Sequence, residues 1–366
     1  MRAALLDGTG DRLALVDDID IEDPRGGEVL VRVSHCGICH SDLSMVQVAE
    51  AMAPCILGHE AAGVVEAVGP DVATVAVGDK VMLTPLASCG HCYWCSRGEP
   101  TGCIEAQAFS TGFRPDGTTP FTRGGEPVKR GLGVGGFGEL TVVSERSVVR
   151  LDPDTPLEIA CVIGCAIQTG VGAVVNTAKV EPGATALVCG AGGIGISVVQ
   201  GLRLAGASRV IVSDPVAERR EAARHFGATD VIDPGTDDVA ARVVADTDRI
   251  GVDYAFEAAG VAPLVDTCVT ASRRGGTTVI VGVDISLATV PILPVMMATQ
   301  GKKIVGTLLG DCHPHRDIPR FITAWQRGQL DFESMISHRL GLDEINDGFD
   351  HLRDARGIRS VIQIGS

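Results

Sequence analysis

The chain has 366 residues, of which 45% are hydrophobic, so it is long enough for two domains that each have a core. Its formal net charge of -15 at pH 7 opposes binding to nucleic-acid phosphates or to anionic membranes, and no basic patch offsets that charge. Acidic and glycine residues come too early for a signal peptide, and no apolar run approaches a membrane span. Composition therefore predicts a cytoplasmic, two-domain protein that binds neither nucleic acid nor membrane.

The first part of the chain is predicted to be an all-β, barrel-like unit. Short apolar runs at 27–33, 63–69 and 79–83 alternate with polar residues, and Gly and Pro separate them. We expect a long surface loop between Cys103 and Gly138, because that segment is rich in Gly, Pro, Thr and Arg and poor in apolar residues. The strand-like run 140–143 resumes the β unit.

A cysteine motif interrupts this unit. It reads C-x2-C-x2-C-x7-C and comprises Cys89, Cys92, Cys95 and Cys103. Four thiolates can complete one tetrahedral zinc shell without an open position, which is typical of a structural site. Twelve cysteines in a long chain without an export signal also favour metal ligation or burial over disulfides. A closed zinc site makes an open, catalytic one worth seeking.

After about residue 165 strands alternate with helical patterns, which predicts a parallel, doubly wound sheet. The predicted strands are 184–189, 209–213, 253–256 and 277–281, and the predicted helices are 194–205 and 217–226. The tail contains a helical pattern at 320–327 and a final strand at 360–364.

A glycine-rich turn follows the first of these strands. Residues 190–195 match G-x-G-x-x-G between a predicted strand and a predicted helix, so a pyrophosphate could approach the N–H groups at the helix start. Asp214 lies nineteen residues beyond Gly195, where a carboxylate can bind a ribose diol. It favours NAD over NADP because a 2′-phosphate would meet like charge, although Arg219 and Arg220 are near. A methyltransferase would share this pattern, so a metal site is needed to distinguish an NAD-dependent enzyme from a methyltransferase.

Candidate ligands for an open metal site are spread over the first half of the chain. They are Cys36, Cys39, His40, His59 and Cys165. Two thiolates and one imidazole leave a fourth zinc position for water or substrate, which a Lewis-acid site needs. Spacing alone does not choose between Cys36 and Cys39.

Together these motifs resemble the zinc-dependent alcohol dehydrogenases of the medium-chain dehydrogenase/reductase family, over essentially the whole chain. The resemblance rests on residues 37–42, 58–63, the four-cysteine loop, Gly164–Cys165, the cofactor turn and residues 281–283. It implies an α/β plus β fold, with a GroES-like catalytic domain (1–166 and 307–366) split around a Rossmann NAD-binding domain (167–306). It also implies alcohol–carbonyl interconversion with NAD(H), two zinc ions per chain, and a homodimer that pairs near Val290–Val295.

The resemblance further implies roles for residues around the catalytic zinc. Cys39, His59 and Cys165 would be its ligands, with Asp42 orienting His59 and Glu60 tuning the site. The other cysteines would be packed thiols: Cys36, Cys55, Cys161, Cys189, Cys268 and Cys312.

The same resemblance implies a proton relay and a set of cofactor contacts. Ser41 would take the alcohol proton and pass it to the cofactor ribose. Many members carry a relay histidine where this chain has Ser44, so water, or alternatively His40, would complete the relay. The implied cofactor-binding residues are His40, Gly190, Gly192, Gly193, Ile194, Gly195, Asp214, Arg219, Val281, Val283 and Arg359. On the residues alone, Arg359 fits a surface position on an edge strand equally well.

Two rival functions share these motifs. A formaldehyde dehydrogenase acting on a thiol adduct needs a cationic mouth, and Glu50 near the entrance speaks against it. A non-catalytic binding protein on this scaffold would have lost a ligand such as Cys165, and this chain keeps them all. His313 and His315 are interpreted as loop residues, because no ligand pattern closes a site around them.

Overall fold

The computed structural model describes residues 1–106, 111–283 and 285–365. The chain forms two compact units. The first comprises residues 1–165, 313–319 and 332–366, and the second comprises residues 166–312 and 320–331.

The segments after residue 307 do not all lie in the first unit, where the predicted boundary puts them. Residues 308–312 and 320–331 belong to the second unit. The Thr177 hydroxyl donates to the Asp311 carboxylate at 2.6 Å. Gln200 exchanges two hydrogen bonds with the backbone of Asp331, at 2.6 and 3.1 Å. These local bonds attach both segments to the helices of the second unit.

Strands and helices have the following bounds. The strands are β1 Ala3–Leu6, β2 Ala14–Val16, β3 Ile19–Ile21, β4 Glu28–Gly37, β5 Cys55–Ile56, β6 Glu60–Val68, β7 Lys80–Leu83, β8 Phe121–Arg123, β9 Glu126–Arg130, β10 Leu140–Ser144, β11 Val148–Arg150, β12 Thr185–Cys189, β13 Arg209–Ser213, β14 Asp230–Ile232, β15 Val252–Glu257, β16 Ser272–Ile280, β17 Lys303–Gly306, β18 Ile336–Gly341 and β19 Arg359–Gln363. The α-helices are α1 His40–Gln47, α2 Ala49–Met52, α3 Tyr93–Ser96, α4 Leu157–Cys161, α5 Ala166–Gly172, α6 Gly193–Ala205, α7 Ala217–Phe226, α8 Val239–Asp246, α9 Ala262–Ala271, α10 Pro294–Gln300, α11 Pro314–Gln326 and α12 Ile345–Arg353.

The first unit is built on two β-sheets. One has the strand order β2-β1-β5-β9-β8-β3, and the other has the order β11-β7-β6-β4-β19-β18, with β10 also paired to β4. Strand β4 shows the predicted alternation, since Val29, Val31 and Val33 are buried while Arg32 is exposed. The buried valines face a core that includes Phe137.

The predicted loop between Cys103 and Gly138 is partly wrong. Residues 107–110 lie outside the described part of the chain. Strands β8 and β9 form a hairpin within this segment, and Phe121 and Val128 on it are buried. Strand β8 of the hairpin pairs with β3, and strand β9 pairs with β5. Both partners are distant in sequence. Sequence reasoning missed it because each strand is short and gains its stability from these distant partners.

The second unit contains one parallel sheet of six strands, in the order β14-β13-β12-β15-β16-β17. Strand β12 lies in the middle of this sheet. The chain adds β13 and β14 on one side of it, then crosses over and adds β15, β16 and β17 on the other side. The carboxyl end of β12 therefore lies at the switch point where doubly wound sheets bind dinucleotides. The glycine-rich turn begins there.

No single helix in the described residues is both long and apolar enough to cross a membrane. By length and composition alone, the consecutive helical stretches 157–164 and 166–178 would qualify as a bent pair.

Candidate active site

Four buried side chains of the first unit converge on one point. A donor atom from each of Cys39, His59, Glu60 and Cys165 lies within 4.8 Å of the others. The two thiol sulfurs are 3.9 Å apart. Cys36 is buried but is not part of this cluster, so the geometry selects Cys39 of the two candidate thiols.

Asp42 connects the two segments that carry Cys39 and His59. Its Oδ2 accepts the backbone N–H of Cys39 at 3.1 Å, and its Oδ1 accepts the backbone N–H of Gly58 at 3.0 Å. The His59 Nδ1 also lies 3.1 Å from Oδ1 and donates to it, because a carboxylate can only accept. This bond turns the other ring nitrogen, Nε2, toward the two thiols.

The residues fit a metal ion. His59 Nε2 is buried and has no hydrogen-bond partner in the structure, and such an atom is costly unless something binds it. A neutral imidazole nitrogen beside two thiols is a donor set that Zn²⁺ prefers.

The charges at this cluster are strongly coupled. A hydrogen bond from Cys165 holds the pKa of Cys39 well below its usual value, and the same bond raises the pKa of Cys165. Burial disfavours a charged His59, but the Asp42 carboxylate outweighs it and raises the pKa of His59 well above its usual value. A divalent cation bound here would take the place of the protons on these three groups.

Glu60 and Arg359 form a buried ion pair beside the cluster. Arg359 Nη2 lies 2.8 Å from Glu60 Oε1, and the two side chains are 4% and 0% exposed. Arg359 also donates to the carbonyl of Ile38 at 3.0 Å. Burial raises the pKa of Glu60 to about 8, although the guanidinium favours its charged form. The alternative of a surface arginine on an edge strand is wrong, since β19 lies between β4 and β18.

Two glycines make room for this arrangement. A Cβ on Gly37 would lie 2.3 Å from Glu60 Oε2. Gly58, which precedes His59, has a φ of +87°, and a Cβ there would lie 2.8 Å from the Phe137 ring. Only a residue without a side chain fits either position without displacing the site.

Ser41 and His40 start the helix that follows Cys39. The Ser41 hydroxyl lies 3.8 Å from the Cys39 sulfur. His40 is exposed and Ser41 is half-buried. The helix start therefore places Ser41 next to a candidate metal ligand.

The four cysteines of the C-x2-C-x2-C-x7-C motif also come together, and we call the segment that carries them the four-cysteine lobe. Donor atoms of Cys89, Cys92, Cys95 and Cys103 all lie within 4.8 Å of one another. Backbone N–H groups point at two of the sulfurs, from Cys89 to Cys103 at 3.2 Å and from Cys92 to Cys89 at 3.3 Å. The backbone N–H of Cys95 lowers the pKa of Cys92 to about 6. Such bonds stabilise thiolates, as a closed zinc site requires.

Two residues for which the sequence predicted no role lie near this lobe. His91 and Glu105 form a third potential metal group with Cys89. The signal that could have found them is the histidine inside the cysteine motif. The other two histidines considered earlier bind carbonyl groups instead: His313 contacts Gly98 O at 3.1 Å and His315 contacts Arg146 O at 3.2 Å.

The glycine-rich turn of the second unit has the predicted strand–turn–helix setting. Gly190 follows β12 with a φ of +99°, and Gly193 begins α6. A Cβ on Gly195 would lie 1.8 Å from Gly190 O, which shows how tightly the chain turns. Free N–H groups at such a helix start can bind phosphate.

Asp214 is tied to this turn. Its Oδ2 accepts the backbone N–H of Ala191 at 2.7 Å, and its Oδ1 accepts that of Val216 at 2.8 Å. Arg220 is turned to other partners, since it donates to Asp214 O and to the Asp233 carboxylate, both at 2.7 Å. Arg219 Nη1 would lie 3.9 Å from a Cβ on Gly192, so it reaches the mouth of the turn.

Val281 and Val283 follow the end of β16. Val281 is buried and its N–H donates to Glu257 O at 2.9 Å, whereas Val283 is 65% exposed. Gly282 between them packs against the backbone of Gly260.

Comparison with known proteins identifies the family. The model of the family described as "Alcohol dehydrogenase GroES-like domain" matches residues 25–153, and that of "Zinc-binding dehydrogenase" matches residues 193–327. The chain is 38% identical over 367 residues to an S-(hydroxymethyl)glutathione dehydrogenase of Escherichia coli O1:K1 / APEC, with 99% of both chains covered.

Solved structures agree with this result. An alcohol dehydrogenase zinc-binding domain protein from Burkholderia ambifaria has 32% identity and a TM-score of 0.94, covering 100% of this chain and 99% of its own. The benzyl alcohol dehydrogenase of Acinetobacter calcoaceticus has 31% identity and a TM-score of 0.92, with the same coverage.

The chain therefore belongs to the zinc-dependent alcohol dehydrogenases of the medium-chain dehydrogenase/reductase family. It is an oxidoreductase that acts on a small molecule, and the predicted α/β plus β fold is confirmed.

Proposed function

We propose that the chain interconverts an alcohol and its aldehyde or ketone with NAD(H), and that Cys39, His59 and Cys165 hold the catalytic zinc. The observation that carries this proposal is the buried, unpartnered Nε2 of His59 beside two thiols. Bound zinc would supply Lewis acidity that makes the alcohol easier to deprotonate. A second zinc in the four-cysteine lobe would be structural, giving two ions per chain.

The chain's own residues orient the reactants and move the proton. Ser41, whose hydroxyl lies 3.8 Å from the Cys39 sulfur, would accept the alcohol proton and pass it toward the cofactor ribose. His40 is exposed at the helix start and would contact the pyrophosphate, and water would complete the relay because Ser44 replaces the usual histidine. Glu60, buried and paired with Arg359, keeps a carboxylate next to the metal ligands. Arg359 would contribute to pyrophosphate binding from the same ion pair.

The cofactor would be held by the second unit. Bound NAD(H) would supply the hydride chemistry, while residues 190–195 would bind its phosphates and Val281 and Val283 would contact the amide of its nicotinamide. Each Asp214 oxygen accepts one backbone N–H and retains a lone pair for a ribose hydroxyl. A 2′-phosphate would meet that carboxylate, so we propose NAD rather than NADP, with Arg219 closing the ribose site. A lower kcat/KM with NAD than with NADP would contradict this choice.

A second candidate substrate class is the glutathione adduct of formaldehyde. It is favoured by the relative of 38% identity whose name specifies that activity. Glu50 is exposed on α2, and we expect its negative charge to disfavour an anionic adduct. We therefore propose a simple alcohol as the substrate.

The discriminating experiment follows NADH absorbance with primary, secondary, aromatic and steroid alcohols, and with formaldehyde in the presence and absence of glutathione. Turnover of free alcohols that glutathione does not change supports the proposal. Turnover of formaldehyde only when glutathione is present would transfer the assignment to the adduct. Absence of turnover with all of these substrates, in protein shown to contain zinc, would contradict both.

We also propose that two copies pair through the segment around Val290–Val295. Leu293 and Val295 are 61% and 67% exposed in the single chain, and Leu287 nearby is 89% exposed. Exposed apolar side chains clustered in this way are typical of an interface. Light scattering should give the mass of a dimer, and Val295→Glu should lower it to that of one chain. A wild-type mass of one chain would contradict this pairing.

A further inference from the structure

His91 and Glu105 stand beside the four-cysteine lobe and have no role in the function proposed above. His91 Nε2 lies 2.9 Å from Glu105 Oε1, and the two side chains are 66% and 43% exposed. One donor atom from each of Cys89, His91 and Glu105 lies within 4.8 Å of the other two. These atoms form a second set of ligands that shares one thiol with the closed cysteine site.

The His91 ring has the orientation of a metal-binding histidine. Its Nδ1 lies 3.0 Å from the carbonyl oxygen of Cys89, and because a carbonyl can only accept, Nδ1 donates its hydrogen there. Histidine ligands nearly always donate one ring N–H to a carbonyl or carboxylate and present the other nitrogen to the ion. The carbonyl belongs to Cys89 itself, so one short turn positions both the ring and the thiol.

The electrostatics of this cluster favour a cation. With its hydrogen on Nδ1, the ring turns the lone pair of Nε2 toward the Glu105 carboxylate, which is also an acceptor. Two acceptors 2.9 Å apart repel each other unless positive charge lies between them, and either a proton on Nε2 or a bound cation supplies that charge. Four thiolates around one Zn²⁺ add net negative charge next to this point. Arg146, whose Nη1 is 3.2 Å from Glu105 Oε2, competes for the carboxylate from the other side.

We propose that Cys89, His91 and Glu105 form a further site for a divalent transition-metal cation such as Zn²⁺, and that this ion shares the Cys89 thiolate with the ion of the four-cysteine lobe. Thiolate, imidazole and carboxylate are the three donor types that zinc takes in proteins, and three ligands leave one position for water. The site is weaker than the closed one, because His91 and Glu105 are exposed and Arg146 competes for Glu105.

The test measures metal content of the full-length, zinc-loaded protein after equilibrium dialysis against rising free Zn²⁺. Wild type should take up one further equivalent beyond its tightly held zinc. His91→Gln and Glu105→Gln should weaken that uptake by about 10- to 100-fold without loss of the tight zinc. Arg146→Gln should strengthen it, because the Glu105 carboxylate is released.

His225→Gln is the matched control. His225 Nε2 lies 3.2 Å from Asp331 Oδ2 and the histidine side chain is 62% exposed, so the pair resembles His91–Glu105 but is not part of a metal group among the described residues. Its substitution should leave the uptake unchanged.

A second readout tests the shared thiolate. Co²⁺ added to the zinc-loaded protein should produce thiolate-to-cobalt charge-transfer absorbance in wild type and in His225→Gln, and none in His91→Gln. The proposal is overturned if wild type takes up no more metal than His91→Gln, or if His225→Gln loses the uptake equally. It is also overturned if His91→Gln loses a tightly held zinc, which would place His91 in the closed site.

Discussion

Asp42 Oδ1 lies 3.1 Å from His59 Nδ1, and both side chains are only 1% exposed. The same carboxylate accepts the backbone N–H groups of Gly58 and Cys39. One buried side chain therefore sets the ring orientation of one candidate zinc ligand and the backbone position of another.

Replacing Asp42 should weaken the catalytic zinc site. Asp42→Asn keeps the size of the side chain but removes the charge that directs His59 Nε2 toward the thiols, so we expect zinc affinity to fall about 10- to 100-fold. Competition with a chelator, followed by metal analysis, measures this loss. Asp347→Asn, at an exposed position on α12, is the control and should leave zinc binding unchanged. Equal retention of zinc in both variants would contradict the positioning role.

Gly37→Ala should disturb the same site by a different route. The new methyl group would lie 2.3 Å from Glu60 Oε2, so the buried carboxylate has to move. We expect a loss of about 1–3 kcal/mol in the free energy of unfolding, together with weaker zinc binding. Gly10→Ala is the matched control because no atom lies within 4 Å of its Cβ. If urea denaturation and metal analysis cannot distinguish the two variants, the close approach at Gly37 is unimportant.

Arg359 and Glu60 should show strong coupling. At about pH 9, above the pKa of about 8 that burial gives Glu60, Arg359→Met leaves the carboxylate buried without its partner, which typically destabilises a protein by about 3–5 kcal/mol. Adding Glu60→Gln removes the uncompensated charge, so the double variant should recover part of the loss. A double-mutant cycle of unfolding free energies measures the coupling. Simple additivity of the two single losses would argue against a buried ion pair.

Cys103→Ser should remove the structural zinc. We expect zinc content to fall from about two ions per chain to one, with a lower midpoint of thermal unfolding, because metal binding energy contributes to folding. Cys55→Ser is the control, since Cys55 is buried outside the candidate metal groups of the described residues. It should lower stability and keep the zinc content. Retention of both ions in Cys103→Ser would show that the cysteines are wrongly assigned.

His338 should make stability fall in mild acid. Its ring packs on His351 with centroids 4.0 Å apart, and burial lowers its pKa below the usual value. Above about pH 6.5 the histidine is neutral in both states and has no effect on the pH dependence of stability. As the pH falls below that value, the unfolded chain gains a proton that the folded chain resists, so stability decreases until the folded pKa is passed.

Urea denaturation between about pH 5 and pH 7.5 measures this effect. His338→Gln should flatten the pH dependence. If His338→Gln keeps the full acid sensitivity, other groups cause it.

Sequence periodicity predicted the strand–turn–helix segment that begins the second unit, but not strands β14 and β17 or helices α8, α9 and α10. Strands β12 and β13, helices α6 and α7 and the turn between Gly190 and Gly195 lie where the pattern predicts them. In a parallel sheet buried on both faces, apolar runs and glycine turns are local signals, and each one directly reflects the structure it forms. The hairpin β8–β9 has no comparable signal, because its partners β3 and β5 are distant in sequence.

The candidate zinc sites and the cofactor turn show the same division between features set by short motifs and features set by tertiary contacts. By itself the sequence determined the residue types for two zinc sites and a dinucleotide turn, because ligand chemistry and glycine turns are properties of short motifs. Spacing could not separate Cys36 from Cys39. Tertiary structure decided that point: Cys36 lies within β4 and is buried in the core, whereas Cys39 caps α1 and faces His59 and Cys165.

Tertiary structure alone also joined Glu60 to Arg359, and His91 to Glu105. The members of each pair are brought together by folding, and the physical reason sequence could not pair them is that charge and hydrogen-bond complementarity depend on distances in space.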